Sequence, residues 1–333
     1  MRLIEAGTGT LPGCNAPLPW HAGAWAQVTR QHEAGQLPHA LLLAGPAHSG
    51  KSLFALALAR MLLCATPSAG LNCGRCHACE LSAAGSHGDL HWVSPLEQSR
   101  FIKIDQVRAA IAFTHGTASF GARKILVFAP ADSLNINGFN ALLKSLEEPA
   151  SGTHIVLVCD RLHSVPATIR SRCQMLRLPA ASSEDARQWL AERLGDHTRT
   201  EKLLTLAEGS PLLALQMADA GSAETALKRR RVLRAVLSGE ATAPQAWNLW
   251  GDCEPEEFLQ ELGIELRQYL RALSAVALRG EAGRAGFALL DEVSGIQRAV
   301  SAGANPGKQL LVDQMLSKCH RELGTVHLGD SIG

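Results

Sequence analysis

Hydrophobic and polar positions divide the chain into an alternating half and a purely helical half. Short apolar runs at His39–Ala44, Asp89–Val93, Arg123–Phe128, Thr153–Cys159 and Gln174–Leu178 predict strands. Between them, Gly23–Ala34, Ser52–Leu63, Ile104–Phe113, Asn135–Leu146 and Ala167–Ser171 carry helical patterns. Strands alternating with helices predict an α/β fold built on a doubly wound parallel sheet. After Pro179 only the helical period remains. Ser182–Leu194, Arg199–Ala207 and Pro211–Met217 predict a small three-helix lid. From Ala223 to Leu323 run longer amphipathic helices, broken near Ala243-Pro244 and Asn305-Pro306. Leu259, Leu262, Leu266, Leu270 and Leu273 share one stripe there, the pattern of a helical-bundle core. The predicted division is therefore 1–180, 181–219 and 220–333, with residues 1–20 a loose Gly- and Pro-rich lead-in.

Between the first strand and its helix lies Gly45-Pro-Ala-His-Ser-Gly50-Lys51-Ser52, a complete phosphate-binding loop. Gly45 and Gly50 let the backbone curl so that its N–H groups face phosphate. Lys51 supplies a point charge, and the Ser52 hydroxyl can reach magnesium. A strand before and a helix after are the context this motif requires. One helix downstream, Cys64, Cys73, Cys76 and Cys79 follow at x8, x2 and x2 spacings. Tight turns of that kind aim thiolates at one point, and four thiolates make a closed tetrahedral zinc site without a catalytic position. His77 is an alternative ligand for one of them. Cys14, Cys159, Cys173, Cys253 and Cys319 are scattered, as buried small apolar residues are.

Composition narrows the picture without deciding it. With 333 residues, two or three domains are expected. A net charge of +1 gives no global basic field for nucleic acid, and one tyrosine argues against a base-stacking platform. No apolar stretch approaches membrane-spanning length, and no secretory pattern opens the chain. A cytoplasmic protein with reduced thiols is the expectation.

Two further words, Asn140-Ala-Leu-Leu-Lys144-Ser-Leu-Glu147-Glu148-Pro149 and Thr168-Ile-Arg-Ser171-Arg172-Cys173, complete a resemblance covering about half of the chain. With the loop and the cysteines, the chain resembles the bacterial clamp-loader family, a branch of the AAA+ ATPases. The resemblance implies a P-loop domain with a zinc module (64–79), a lid and an all-α collar. It also implies a hetero-pentameric ring with gamma/tau and delta subunits of DNA polymerase III, which loads the beta sliding clamp onto primed DNA. In that family the arginine of Ser-Arg-Cys, here Arg172, reaches into a neighbour's nucleotide site. Arg170 is a second candidate beside it. Lys144, Glu147 and Glu148 would then lie near a subunit boundary; by default they are solvated helix-end charges. Lys228-Arg-Arg-Arg231 with Arg234 reads as a solvated helix face, and Trp247 with Trp250 as core or subunit contact.

The sequence also departs from that family. A hydrolysing member needs an acidic pair at the end of the third strand, one acid for magnesium and one to activate water. Ala129 and Pro130 stand there. Asp132 is three residues along, about 10 Å on an extended strand. After Gly209-Ser210-Pro211, the arginine that would sense the gamma-phosphate is replaced by Leu213. The expectation is a non-hydrolysing ring member whose loop either holds ATP or ADP or stands empty. The alternatives are an ATP-hydrolysing gamma/tau-type subunit and a zinc-dependent nucleic-acid-binding module.

Overall fold

The computed structural model describes residues 15–96, 99, 101–219, 223–242, 244, 249–250, 253–301 and 304–324. Most of the lead-in, Cys14 and Trp247 lie outside them. The chain divides into two compact units, residues 1–219 and 220–333.

In the first unit, strands β1 (Ala40–Ala44), β2 (Leu90–Val93), β3 (Lys124–Phe128), β4 (Thr153–Cys159) and β5 (Gln174–Arg177) form one sheet. Its order is β2-β3-β4-β1-β5 and every pairing is parallel. β1 and β3 are buried along their whole length, which is why both read as unbroken apolar runs. Side chains alternate between the two faces. Leu41, Leu43, Ile125, Val127, Val156 and Val158 enter one core with Trp25 and Val28 of α1 (Ala22–Glu33) and Phe54 and Leu58 of α2 (Lys51–Leu63). Leu42, Leu126, Phe128, Ile155 and Leu157 enter the other with Val107 of α4 (Ile104–His115), Phe139 and Leu142 of α5 (Ile136–Glu147) and Ile169 of α6 (Ala167–Arg170). The short α3 (His77–Ala83) lies between α2 and β2 in the chain.

Predicted boundaries hold to within two residues at most ends, because the chain punctuates itself. Asn135 caps α5 by accepting from Gly138 N at 2.8 Å. Ser182 and Asp196 do the same for α7 (Ser183–Leu194) and α8 (His197–Leu206). With α9 (Pro211–Asp219), these helices are the predicted trio after Pro179, and they belong to the first unit.

The second unit contains α10 (Ala223–Leu237), α11 (Pro255–Ala272), α12 (Ala275–Arg279), α13 (Glu281–Ser301) and α14 (Lys308–Leu323). Leu259, Leu262 and Leu266 join its core as their spacing predicts; Leu270 is buried, whereas Leu273 caps the end of α11 and is half-buried. Trp250 is fully buried with its ring edge-on to Phe258, 5.1 Å between centroids.

The basic run is a solvated face only in part: Lys228 and Arg231 are exposed, whereas Arg229, Arg230 and Arg234 turn to acids of α11. Arg229 donates to Glu257 Oε1 at 2.6 Å and lies 3.5 Å from Glu261, while Arg230 and Arg234 meet Glu265 at 3.5 and 2.7 Å. Arg230 and Arg234 are one turn apart, so both reach a single acid on α11, and Glu265 is only 1% exposed. Glu261 Oε2 is buried without a hydrogen-bond partner among the described residues. Burial raises the Glu261 carboxyl to about 7, against the pull of Arg229. The folded chain thus holds a proton that the unfolded chain releases from about pH 4.5 upward. This contribution to stability is present at low pH and is lost as pH rises toward 7. Replacing Glu261 by Gln should therefore cost little at pH 4.5 and gain on the order of 2 kcal/mol relative to the parent by pH 8. Urea denaturation of both proteins across that range tests it; a difference independent of pH would refute it.

Candidate functional site

The phosphate loop leaves β1, an interior strand between β4 and β5, and enters α2, so Gly45–Ser52 sits at the carboxyl end of the strands, where α/β sheets bind ligands. Gly45 has no room for a side chain: a Cβ there would fall 2.1 Å from the Leu178 carbonyl oxygen. Gly50 caps α2 with a φ of +94°, and a Cβ there would collide with Leu18. The motif glycines thus answer to this chain's own packing as well as to a phosphate.

The loop is held by its surroundings. Trp20 Nε1 donates to the Ser49 carbonyl at 2.9 Å and Ser210 Oγ to the His48 carbonyl at 3.3 Å. Leu18 and Leu212 lie against Gly50. Lys51 is 3% exposed; its ammonium donates to the Pro46 carbonyl and pairs with Asp160 Oδ1 at 2.5 Å. Beside it, His21 is fully buried and donates from Nε2 to the Pro179 carbonyl, 3.3 Å away. Burial lowers its pKa to about 4, and the nearby Lys51 charge acts in the same direction, so the ring is neutral at physiological pH.

At the end of β3 the structure places Ala129 and Pro130, both without a carboxylate. Asp132 does not reach across to substitute for them. Its carboxylate accepts from Asp160 N at 3.1 Å and from Arg161 Nε at 3.0 Å, so it organises the turn after β4. Asp160, which sequence reasoning missed, is the acid that faces Lys51. Its signal was its place directly after a predicted strand that pairs with β1. Leu213, in α9, carries no charge toward phosphate.

The four predicted cysteines converge. Cys64 ends α2, Cys76 caps α3, and Cys79 lies within α3. All four Sγ atoms lie within 4.8 Å of one another, with Cys64 and Cys76 3.9 Å apart. Tetrahedral thiolates 2.3 Å from zinc would be about 3.8 Å apart, so the donor set fits a metal of that size. Donors face the sulfurs: Cys73 N to Cys64 at 3.2 Å and Asn72 Nδ2 to Cys79 at 3.2 Å. Hydrogen bonding from Thr66 holds Cys73 down to about 5, while burial pushes Cys64 up to about 12. His77, the alternative ligand, is exposed; its ring lies against Phe120, and Glu80 is 4.0 Å away. Outside the cluster, burial raises Cys159, Cys253 and Cys319 to about 12 and Cys173 to about 11, as inert apolar thiols require.

Arg172 follows α6 and is exposed. Its Nε donates to Glu147 Oε1 at 2.6 Å, Nη2 meets the same oxygen, and Nη1 donates to the Thr168 carbonyl at 2.9 Å. The two family words therefore meet in space, one supplying the guanidinium and the other the carboxylate that orients it. Arg170, Lys144 and Glu148 are exposed.

Comparison with known proteins speaks to the family and the fold. A family profile described as "DNA polymerase III, delta subunit" matches residues 20–182. The DNA polymerase III subunit delta' of Pseudomonas aeruginosa is 37% identical over 235 residues, covering 69% of this chain and 71% of that protein. The Yersinia pestis subunit delta' is 29% identical over 315 residues, covering 92% and 90%. Among solved structures, a gamma-subunit-related protein of DNA polymerase III from Thermotoga maritima aligns over 90% of this chain and 99% of its own, with TM-score 0.54 at 17% identity. That last likeness speaks for the AAA+ fold alone. The sequence relatives go further: the chain belongs to the family of the delta' subunits of DNA polymerase III.

Proposed function

We propose that this protein is a non-hydrolysing member of the clamp-loader ring, completing a neighbour's ATPase site with Arg172. One observation carries the reading. A complete phosphate loop faces a strand end bearing Ala129 and Pro130, while the nearest acid, Asp132, is engaged by Arg161. Metal-assisted hydrolysis needs a carboxylate to anchor magnesium and another to activate water, and neither has a residue at β3 here. Lys51 must also leave Asp160 before it can reach a phosphate. Bound ATP or ADP would therefore be held without turnover.

Arg172 suits the complementary role. An exposed guanidinium offers fixed planar donors to a gamma-phosphate, and Glu147 and Thr168 already restrict its rotamers. The names of the relatives, subunits delta' and gamma of DNA polymerase III, support an assembly with other subunits of that enzyme. The partners proposed within it are gamma/tau subunits on the arginine side and a delta subunit on the other, with the beta sliding clamp on primed DNA as the object of the assembly. Residues 1–180 act as the P-loop domain, 181–219 as its lid and 220–333 as the collar. Cys64, Cys73, Cys76 and Cys79 hold a structural zinc ion, which supplies cross-linking and no open coordination position. The protein works in the cytoplasm; among the described residues no helix is long and apolar enough to cross a membrane.

Three measurements test this reading. The isolated chain should turn over ATP no faster than its Lys51→Ala variant; robust turnover lost in that variant would make it a gamma/tau-type motor. In a ring reconstituted with gamma/tau and delta, Arg172→Ala should assemble normally yet slow the site it completes by about three powers of ten. Unchanged DNA-stimulated ATPase would remove the finger assignment. Metal analysis should find one zinc per chain, and Cys76→Ser should lower that content and the melting temperature together.

A further inference from the structure

The four-thiol cluster has a polar connection to the segment that covers the phosphate loop. Asn72 is 2% exposed and sits between them. Its Oδ1 accepts from the backbone N–H of Asn15 at 2.9 Å, which fixes the orientation of the amide. Its NH2 group must then face Cys79 Sγ, at 3.2 Å. The donor therefore points at the sulfur from outside the cluster, the place an outer-shell partner of a metal ligand takes. The Asn15 side chain, in turn, accepts from Arg60 Nη1. Arg60 is 1% exposed in α2, and its Nη2 donates to the Ser82 carbonyl of α3 at 3.1 Å. Both ends of the knuckle are thereby tied to Asn15.

From Asn15 the chain runs directly over the loop. Leu18 packs on Gly50, Trp20 donates to Ser49, and His21 reaches Pro179 within the next few residues. The segment's hold on its first residue comes from Asn72 and Arg60, and neither lies in the loop it covers. A tetrathiolate zinc centre carries two net negative charges, which favour both the Asn72 donor and a nearby guanidinium.

We propose that Asn72 is an outer-shell residue of the four-thiol metal site, through which a bound metal, with Arg60 as a second tie to Asn15, holds the segment Asn15–His21 across the phosphate loop. This rests on the zinc reading above and adds a task for the ion beyond local folding. With metal bound, the thiolates keep the Asn72 amide in place, its oxygen keeps Asn15, and the covering segment stays seated. With metal removed, the four sulfurs are no longer held together, the Asn72 amide loses its fixed partner at Cys79, and the anchor of the segment loosens.

Asn72→Asp is the sharp variant. It keeps an oxygen for Asn15 N–H but puts a carboxylate oxygen where the thiolate had a donor. On the full chain, zinc release to a chromogenic chelator should accelerate about 10–100-fold in this variant. Hydrogen exchange should show the amides of residues 15–21 losing about tenfold or more of their protection when zinc is stripped from the parent, while those of β1 and β4 keep theirs. Asn15→Ala leaves Asn72 facing Cys79, so it should loosen the same amides while zinc release stays near the parent rate. A chain that binds no zinc overturns both this proposal and the zinc reading. If zinc is bound but its removal leaves protection at 15–21 unchanged, the coupling alone is wrong. Unaltered zinc release in Asn72→Asp removes Asn72 from the outer shell.

Discussion

The ion pair between Lys51 and Asp160 organises the nucleotide end of this molecule. A lysine removed from water needs a compensating charge and acceptors, or its burial costs several kcal/mol. Here the compensation comes from within: Asp160 at 2.5 Å, the Pro46 carbonyl and the Ser49 hydroxyl. This is possible because β4 pairs with β1 in register, Ala44 beside Cys159, so the residue after β4 emerges next to the loop after β1. Asp160 is itself steadied through its backbone N–H by Asp132, and Asp132 is occupied by Arg161. Both acids near the loop are thus engaged in holding its geometry.

The four-thiol cluster follows a related logic at the other end of α2. The helix that carries Cys79, α3, has seven residues and is too short to be stable in isolation. Four converging sulfurs offer a donor set that a metal ion can cross-link where the apolar core is small. Buried polar groups then fill the junction: Asn15, Arg60, Asn72 and Ser82 are each under 8% exposed and bonded to one another or to the cysteines. The second unit solves its own version of the problem, placing the acids of α11 under the arginines of α10.

Much of this was legible in the chain. Alternating apolar runs and amphipathic segments located every strand of the sheet, because strands buried on both faces must be apolar throughout and helices must change face every turn. Cysteine spacing located the thiol cluster, because x2 turns leave little freedom in where the sulfurs point. The loss of the acids at Ala129 and Pro130 needed no coordinates. What misled was charge. The Arg229–Arg230–Arg234 group read as solvated because a run of like charges gives no hint of its partners, and those partners lie on α11.

The amino-acid sequence by itself determined the layers of the first unit, the position of the loop and the identity of the four converging thiols, since each depends on local periodicity or spacing. Tertiary structure decided which groups answer the charges: Asp160 for Lys51, Glu147 for Arg172, Asn15 for Arg60. Electrostatic partners are chosen by distance in space, and the pairing of parallel strands and packed helices brings together residues that the chain keeps far apart.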